Sequence, residues 1–232
     1  MPCLAHNIQL VIKDGLKLDE DYNKLIKHVS EDIVSKSKSS LVIAEELRKL
    51  NIKLNQKNVT RWNSILFMTR SVSRLSAADF KTIRTEMPST NSKQKEVIKK
   101  FDVNDKDRTR LEELKDILEG FEFFTDELQG DSVNISRVYP GVICLREKLK
   151  PEGAVYTVEL RKNWLLSLNQ RFETIMDDDA ILFSTVLDPN FGLRFIEKKK
   201  QLEVKARLCA SMKKELAFQQ VCLARQIKLT YS

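Results

Sequence analysis

The sequence LEELKDILEGFEFFTDELQG, residues 111–130, spaces its apolar side chains as an α-helix does. The apolar face of this predicted helix carries Leu111, Leu114, Leu118, Phe121 and Leu128. Two more aromatic side chains, Phe123 and Phe124, widen that face, and Gly130 is typical of a helix end. The pattern predicts a long amphipathic helix with one buried side.

The same periodicity predicts helices over most of the chain on both sides of this stretch. The other predicted units cover residues 4–15, 43–54, 62–86, 135–149, 165–176 and 198–227. Gly15 is predicted to end the first unit, and Pro140 to kink the 135–149 helix or to mark its first turn. Asp177, Asp178 and Asp179 precede an apolar run, where carboxylates satisfy the free amides of a helix N-terminus. The breaker-rich residues 87–92 predict a loop.

The composition argues against a strand-rich fold and against a membrane protein. The 232 residues include only 6 glycines and 5 prolines, too few for the turns of a sandwich or barrel. No segment alternates apolar and polar residues, and no stretch approaches the roughly 20 apolar residues that cross a bilayer. We therefore predict an all-α fold, a helical bundle or array with little or no sheet.

The net charge of +7 is unevenly distributed along the chain. Residues 1–60 carry +2, residues 61–110 carry +6, residues 111–179 carry −7 and residues 180–232 carry +6. The basic segments, one around Arg61 and one at residues 198–200, would attract phosphate if they folded onto one side. The alternative is that these charges lie on solvated helix faces beside opposite charges.

Two groups of side chains are candidates for a metal site. Cys3 and His6 lie three residues apart on one helix face, which is half a zinc site at most because His28 is the only other histidine. Asp177–Asp179 with Asp188 could be imagined around magnesium, but consecutive carboxylates on a helix point in different directions. We interpret the first pair as structural and the aspartates as a helix cap, and we predict no metal or cofactor. The common phosphate-loop and hydrolase motifs are absent from the sequence.

Residues 60–64, TRWNS, join a cation to an aromatic ring at the start of a predicted helix. Thr60 can cap that helix, which places Arg61 and Trp62 in its first turn beside free amides that favour phosphate. A guanidinium binds a phosphate or a base edge, and an indole offers a surface on which an unpaired base stacks. The alternative is that Trp62 begins the apolar stripe and belongs to the core.

Four motifs, taken in order, resemble those of hAT-superfamily DNA transposases and of the BED-type zinc-finger proteins derived from them. Residues 3–16, CLAHNIQLVIKDGL, resemble the family's C-x-x-H-x-(L/I)-x-L-(V/I)-(V/I)-K-D-(A/G)-L segment, and residues 60–64 resemble its T-R-W-N-S signature. Residues 135–149 are similar to its helix with a central proline, and residues 187–191, LDPNF, resemble its L-D-P-R-F turn. Asn190 departs from that last motif, and residues after about 205 match loosely.

The resemblance implies a long helical insertion in a ribonuclease-H-like nuclease core. It assigns residues 1–18 to the last core helix, residues 19–205 to the all-helical insertion domain and residues 206–232 to a weakly matched basic C-terminal helix. The family's catalytic aspartates and glutamate, its BED finger and its dimerisation segment are expected outside this chain. No catalytic residue carries over, so we expect no enzymatic activity from the chain alone.

The resemblance also implies a DNA-binding site and a nuclear location. The family's T-R-W tryptophan stabilises a base flipped out of the duplex, and Trp62 occupies that place, flanked by Arg61 and Asn63. The residues assigned a structural role in the family motifs are Cys3, His6, Pro140, Asp188 and Pro189. The expected partner is DNA that is branched or resembles a transposon end, with a possible homodimer formed through regions outside this chain, and no membrane.

Two other functions remain open on the sequence alone. The helical array could be a protein-binding scaffold in a nuclear transcription regulator, in which case its partner would bind independently of DNA and salt. An active nuclease is the third possibility, and metal-dependent strand cleavage by this chain would establish it.

Overall fold

The computed structural model describes residues 3–58, 61–129 and 135–230, with side chains up to residue 220. Every regular element in these ranges is helical and none is a strand, which confirms the predicted all-α fold. None of the helices described combines the length and the apolar character needed to cross a lipid bilayer.

The connections between the helices differ in length. In chain order they are α1 (Leu4–Leu18), α2 (Glu20–His28), α3 (Lys36–Ser39), α4 (Leu41–Lys49), α5 (Asn63–Ser73), α6 (Ala77–Glu86), α7 (Ser92–Lys100), α8 (Asp105–Gln129), α9 (Val138–Lys148), α10 (Val158–Met176), α11 (Asp179–Leu187) and α12 (Lys198–Thr230). A π-helical segment, Val29–Ser35, joins α2 to α3, and a 3-10 turn, Ile135–Arg137, precedes α9.

The chain forms two compact units. Among the described residues, the first contains residues 3–129 and 145–171, and the second contains residues 135–144 and 172–230. The segments 1–18, 19–205 and 206–232 were inferred from the resemblance to a family, not from compact units of the structure, and they stay a prediction.

The core of the first unit forms around one aromatic side chain of α8. Phe121 is fully buried, and its ring meets the Trp164 ring of α10 edge to face at 5.3 Å. It also meets Trp62, just before α5, at 6.4 Å. The long amphipathic helix predicted from residues 111–130 therefore packs against α5 and α1, and its Phe121 contacts Trp164 of α10.

Gly15 does not end α1, contrary to the sequence-based prediction. The helix continues to Leu18, and Gly15 is buried within it. A Cβ atom at this position would lie 2.5 Å from Nε1 and 2.9 Å from Cγ of Trp164. The indole also donates a hydrogen bond of 3.0 Å to the carbonyl oxygen of Ile12. The glycine therefore leaves the space beside α1 that the Trp164 indole occupies.

Two other predicted helices differ from those in the structure. The 62–86 unit is two helices, because Ser76 and Asp79 form a reciprocal capping box that starts α6. The 43–54 unit ends at Lys49, and Asn51 follows with a positive φ of 53°. Leu54 is still buried, but it belongs to the irregular segment that leads to α5. The helices α2 and α7 were not among the predicted units, and α7 buries none of its side chains.

The second unit contains the predicted turn and cap residues. Pro140 lies in the first turn of α9, and the Asp178 carboxylate accepts the Ala180 amide at the start of α11, so both predictions are confirmed. Asp188 forms the predicted turn before Pro189: its Oδ1 accepts the Asn190 amide at 2.8 Å. Its Oδ2 accepts the Ser136 hydroxyl at 2.5 Å, which joins this turn to the segment before α9.

One carboxylate of α8 organises the start of α10. Glu113 accepts the backbone amides of Val155 and Tyr156, each at 3.1 Å, and that of Thr157 at 2.9 Å. It also accepts the Thr157 hydroxyl at 2.7 Å. Burial by itself raises the pKa of Glu113, but these hydrogen bonds outweigh it, so the pKa lies below its ordinary value.

We expect Glu113→Gln to lower the free energy of unfolding by about 2 kcal/mol at neutral pH, because the amide keeps one acceptor where four donors converge. Since the folded pKa is depressed, the wild-type advantage is complete above the unfolded pKa of about 4.3 and is lost as pH falls through the folded value. Urea titrations from pH 3 to 7 measure it. Glu159→Gln, at a carboxylate that is 71% exposed, is the control. Parallel pH curves for wild type and Glu113→Gln would contradict the assignment.

Candidate nucleic-acid interface

Trp62 and Arg61 are held by the turn that leads into α5. The helix begins at Asn63, and Trp62 is its N-cap residue. The Ser64 hydroxyl donates to the carbonyl oxygens of Arg61 at 2.6 Å and Asn58 at 2.8 Å, so one side chain fixes this turn from inside. Thr60, predicted to cap the helix, lies outside the described residues.

Trp62 is both a core residue and a cavity wall. Only 8% of the residue is exposed, and its ring packs against Phe121 as the core alternative requires. Trp62 nevertheless lines two separate cavities, both of which also include Arg61. Trp62 therefore belongs both to the core and to the lining of the two cavities.

The first of these, here called the lysine cavity, has a volume of about 420 Å³ and lies between α1 and the segment before α5. Its lining includes four basic residues and no acidic one: Lys13, Lys17, Lys57 and Arg61. Within the part of the chain that the structure describes, none of the four has an ion pair with a carboxylate. The charge of this cavity is therefore uncompensated by close partners.

The acidic residue nearest in sequence to these lysines is held by another helix. Asp14 accepts from Arg171 at 2.6 Å and from Ser167 at 2.9 Å, both on α10. Burial by itself raises the pKa of Asp14. The hydrogen bonds from Arg171 and Ser167 outweigh this effect, with a smaller contribution from Lys17, so the pKa lies below its ordinary value. Asp14 thus remains ionised and engaged with α10, while Lys13 and Lys17 stay exposed one turn apart on α1.

The second, here called the cysteine cavity, has a volume of about 380 Å³ and lies where α1, α5 and the end of α8 meet. It brings together Cys3 and His6 with the three residues of the predicted DNA site, Arg61, Trp62 and Asn63. Among the residues that the structure describes, no acidic one lines it either. Two motifs separated by more than fifty residues in sequence therefore share one surface.

Metal binding finds no support in this arrangement. Among the described residues, no three histidine, cysteine or acidic side chains form a group that could hold a metal ion. Cys3 and His6 are both exposed, and Cys3 is a free thiol.

Some predicted residues lie elsewhere, and some contributors were missed. Pro140, Asp188 and Pro189 belong to the second unit, as do the basic residues 198–200 at the start of α12. The sequence reasoning named Arg61 but did not single out Lys13, Lys17 or Lys57 as site residues. Their spacing carried a signal, because Lys13 and Lys17, like Lys57 and Arg61, are four residues apart.

Comparison with known proteins adds no relative: no family model, no curated protein and no solved structure matches this chain. The site must therefore be interpreted from its own geometry and from the sequence motifs.

Proposed function

We propose that this chain is a catalytically incomplete, hAT-transposase-derived domain that binds DNA through Arg61, Trp62 and Asn63. The observation that carries the proposal is the pair of cavities without acidic lining that share Arg61 and Trp62. One of them adds three lysines with no ion-pair partner among the described residues.

The chemistry of the site suits a nucleic acid with an unpaired end. Lysine and arginine neutralise phosphates, and the indole of Trp62 offers apolar surface to a base. Each cavity is within the range of roughly 300–1,000 Å³ that small-ligand pockets have, so each is large enough for one unstacked base. A base inside a smooth duplex cannot enter unless it is first unstacked, which costs a few kcal/mol. We therefore propose tighter binding to branched or single-stranded ends than to duplex.

The resemblance of residues 3–16 and 60–64 to the transposase motifs supports the same function, because both motifs line the cysteine cavity. In this proposal the parent protein is nuclear, and its catalytic acids, BED finger and dimerisation segment lie outside the chain. No cofactor takes part in the binding. Metal-dependent strand cleavage by this chain would contradict the catalytic part of the proposal.

We expect Trp62→Ala to weaken binding of a hairpin with a single-stranded end by roughly five- to 150-fold, the value of one lost base stack. Fluorescence anisotropy at 0.1 M salt measures it, with a blunt duplex of equal length as the second probe. Phe67→Ala is the matched control, because Phe67 is an aromatic residue of α5 that is 44% exposed and lines neither cavity.

Because Trp62 also packs against Phe121, its replacement must be shown to leave the helical content unchanged by circular dichroism. Arg61→Ala avoids this difficulty, since Arg61 is exposed, and we expect it to weaken both probes. Equal affinity of wild type, Trp62→Ala and Arg61→Ala for the hairpin would refute the proposed site.

A protein-binding scaffold is the second candidate, and α12 favours it. This helix exposes large apolar side chains, among them Leu202 at 80% and Phe218 at 64%. The dependence of affinity on salt separates the two functions: a steep loss with rising salt favours DNA, and a salt-independent protein partner favours the scaffold.

A further inference from the structure

The segment between α4 and α5 is irregular but firmly attached. The Asn55 amide donates to the Ser71 hydroxyl of α5 at 2.9 Å. Gln56 accepts from Lys38 Nζ of α3 at 2.7 Å and donates to the Ser35 hydroxyl at 3.5 Å. Residues 55 and 56 are thus fixed to helices on both sides of the segment.

This segment carries a cation at every fourth position. Lys53, Lys57 and Arg61 follow one another at this spacing, and the chain between Asn51 and Arg61 contains no acidic residue. Lys57 and Arg61 line the lysine cavity at the end of the segment. Lys53 is exposed and, in the described ranges, has no ion pair.

A third cavity lies where the segment begins. This α4 cavity has a volume of about 410 Å³ and is lined by the basic residues Lys38, Arg48 and Lys53 and by the apolar side chains of Leu47 and Leu54. No acidic residue belongs to its lining. Arg48 is paired with Glu45 at 2.8 Å, whereas Lys38 and Lys53 have no ion pair among the described residues.

We propose that residues 51–58, together with Arg61, form a track for a single polynucleotide strand, which runs from the Trp62 site to the α4 cavity. Phosphates contact Lys57 and then Lys53, and a base enters the α4 cavity against Leu47 and Leu54. This inference rests on the proposed function and extends it from one base-binding site to a strand-binding surface.

The number of residues in the segment limits the length of strand that it can bind. The eight peptide steps from Lys53 to Arg61 span at most about 28 Å, at no more than about 3.5 Å for each residue. A strand of about eight nucleotides covers that upper limit at the stacked spacing of about 3.4 Å. Because dT12 exceeds the limit and a trinucleotide covers only about 7 Å at that spacing, strand length is the experimental variable.

The test compares labelled dT3 and dT12 in anisotropy titrations of the full chain. We expect Lys53→Ala to weaken dT12 roughly fivefold, to leave dT3 unchanged, and to reduce the salt slope for dT12 by about 0.7, the value of one phosphate contact on a single strand. Arg61→Ala should weaken both probes. Lys93→Ala is the matched control, because Lys93 is an exposed lysine of α7 that lines none of the three cavities.

Each remaining outcome has a distinct meaning. If Lys53→Ala behaves as Lys93→Ala while Arg61→Ala weakens both probes, the track is overturned and the Trp62 site stands. If neither Lys53→Ala nor Arg61→Ala changes the affinity for either probe, the proposed function fails as well. If a twelve-residue polyglutamate competes with dT12 as strongly as unlabelled dT12 does, the surface recognises acidic peptide and the assignment to a polynucleotide is overturned.

Discussion

Phe121→Ala is expected to lower the free energy of unfolding of the first unit by about 3–5 kcal/mol, the usual cost of removing a buried phenyl ring. The ring is fully buried, and its centroid lies 5.3 Å from that of Trp164 and 6.4 Å from that of Trp62. Its loss leaves a cavity bordered by α5, α8 and α10, and it removes two edge-to-face contacts worth about 0.5–1.5 kcal/mol each. Urea unfolding followed by tryptophan fluorescence measures the change.

The control for this prediction lies two residues away on the same helix. Phe123 is 69% exposed, so Phe123→Ala should change the free energy of unfolding by no more than about 0.5 kcal/mol. The comparison holds residue type, helix and helix propensity constant and varies only burial. Equal unfolding midpoints for the two variants would show that the core does not form around Phe121.

The second large effect is expected from Gly15→Ala, which should destabilise the first unit by about 2–3 kcal/mol. In an unobstructed helix this change is stabilising by up to about 1 kcal/mol, because alanine has the higher helix propensity. Here the added methyl group would lie 2.5 Å from Nε1 of Trp164, so α1 and α10 must separate. That movement also weakens the hydrogen bond from the indole to Ile12, which adds about 1 kcal/mol.

Gly120→Ala is the matched control, because Gly120 also lies inside a helix. The nearest atoms to its added methyl group all belong to the Lys148 side chain, with Cδ at 2.9 Å and Cε at 3.2 Å, and this flexible side chain can move aside. We expect this variant to be neutral or slightly stabilising, so the two glycine variants should shift the urea midpoint in opposite directions. A shift of the same sign and size for both would mean that Trp164 does not constrain Gly15.

Much of the fold was predictable because the information was local. The apolar period of residues 111–130, the placement of Pro140 and the capping aspartate Asp178 each depend on residues within a few positions of one another. The Ser76–Asp79 capping box was also visible in the sequence, and giving it weight would have divided the 62–86 unit correctly.

The errors arose where a residue's role depends on a distant partner. Gly15 resembles a helix end when only its neighbours are considered, yet it is required by Trp164, 149 positions later in the chain. Leu54 continues a helical spacing, but its burial is satisfied by the irregular segment after α4. Local periodicity cannot distinguish a helix from an irregular segment here, since an apolar residue can be buried in either structure.

Part of the candidate site was also predictable from local sequence, and part of it depends on distant residues. Arg61, Trp62 and Asn63 were recognisable as a motif, but nothing in the sequence placed Cys3 and His6 beside them in one cavity. Lys13 and Lys17 contribute to the lysine cavity only because α1 lies next to the segment before α5. The ion pair of Asp14 with Arg171 depends on the packing of α10 against α1. Packing between helices, rather than any single motif, creates a surface with uncompensated positive charge.

The arrangement of the two tryptophans has an optical consequence. The chain contains only these two, and both contact Phe121. Trp164 is fully buried, while Trp62 is 8% exposed and lines two cavities. Intrinsic tryptophan fluorescence therefore combines emission from a fully buried indole with emission from one at the proposed binding site. A ligand at that site is expected to change the emission of Trp62 and to leave that of Trp164 as an internal reference.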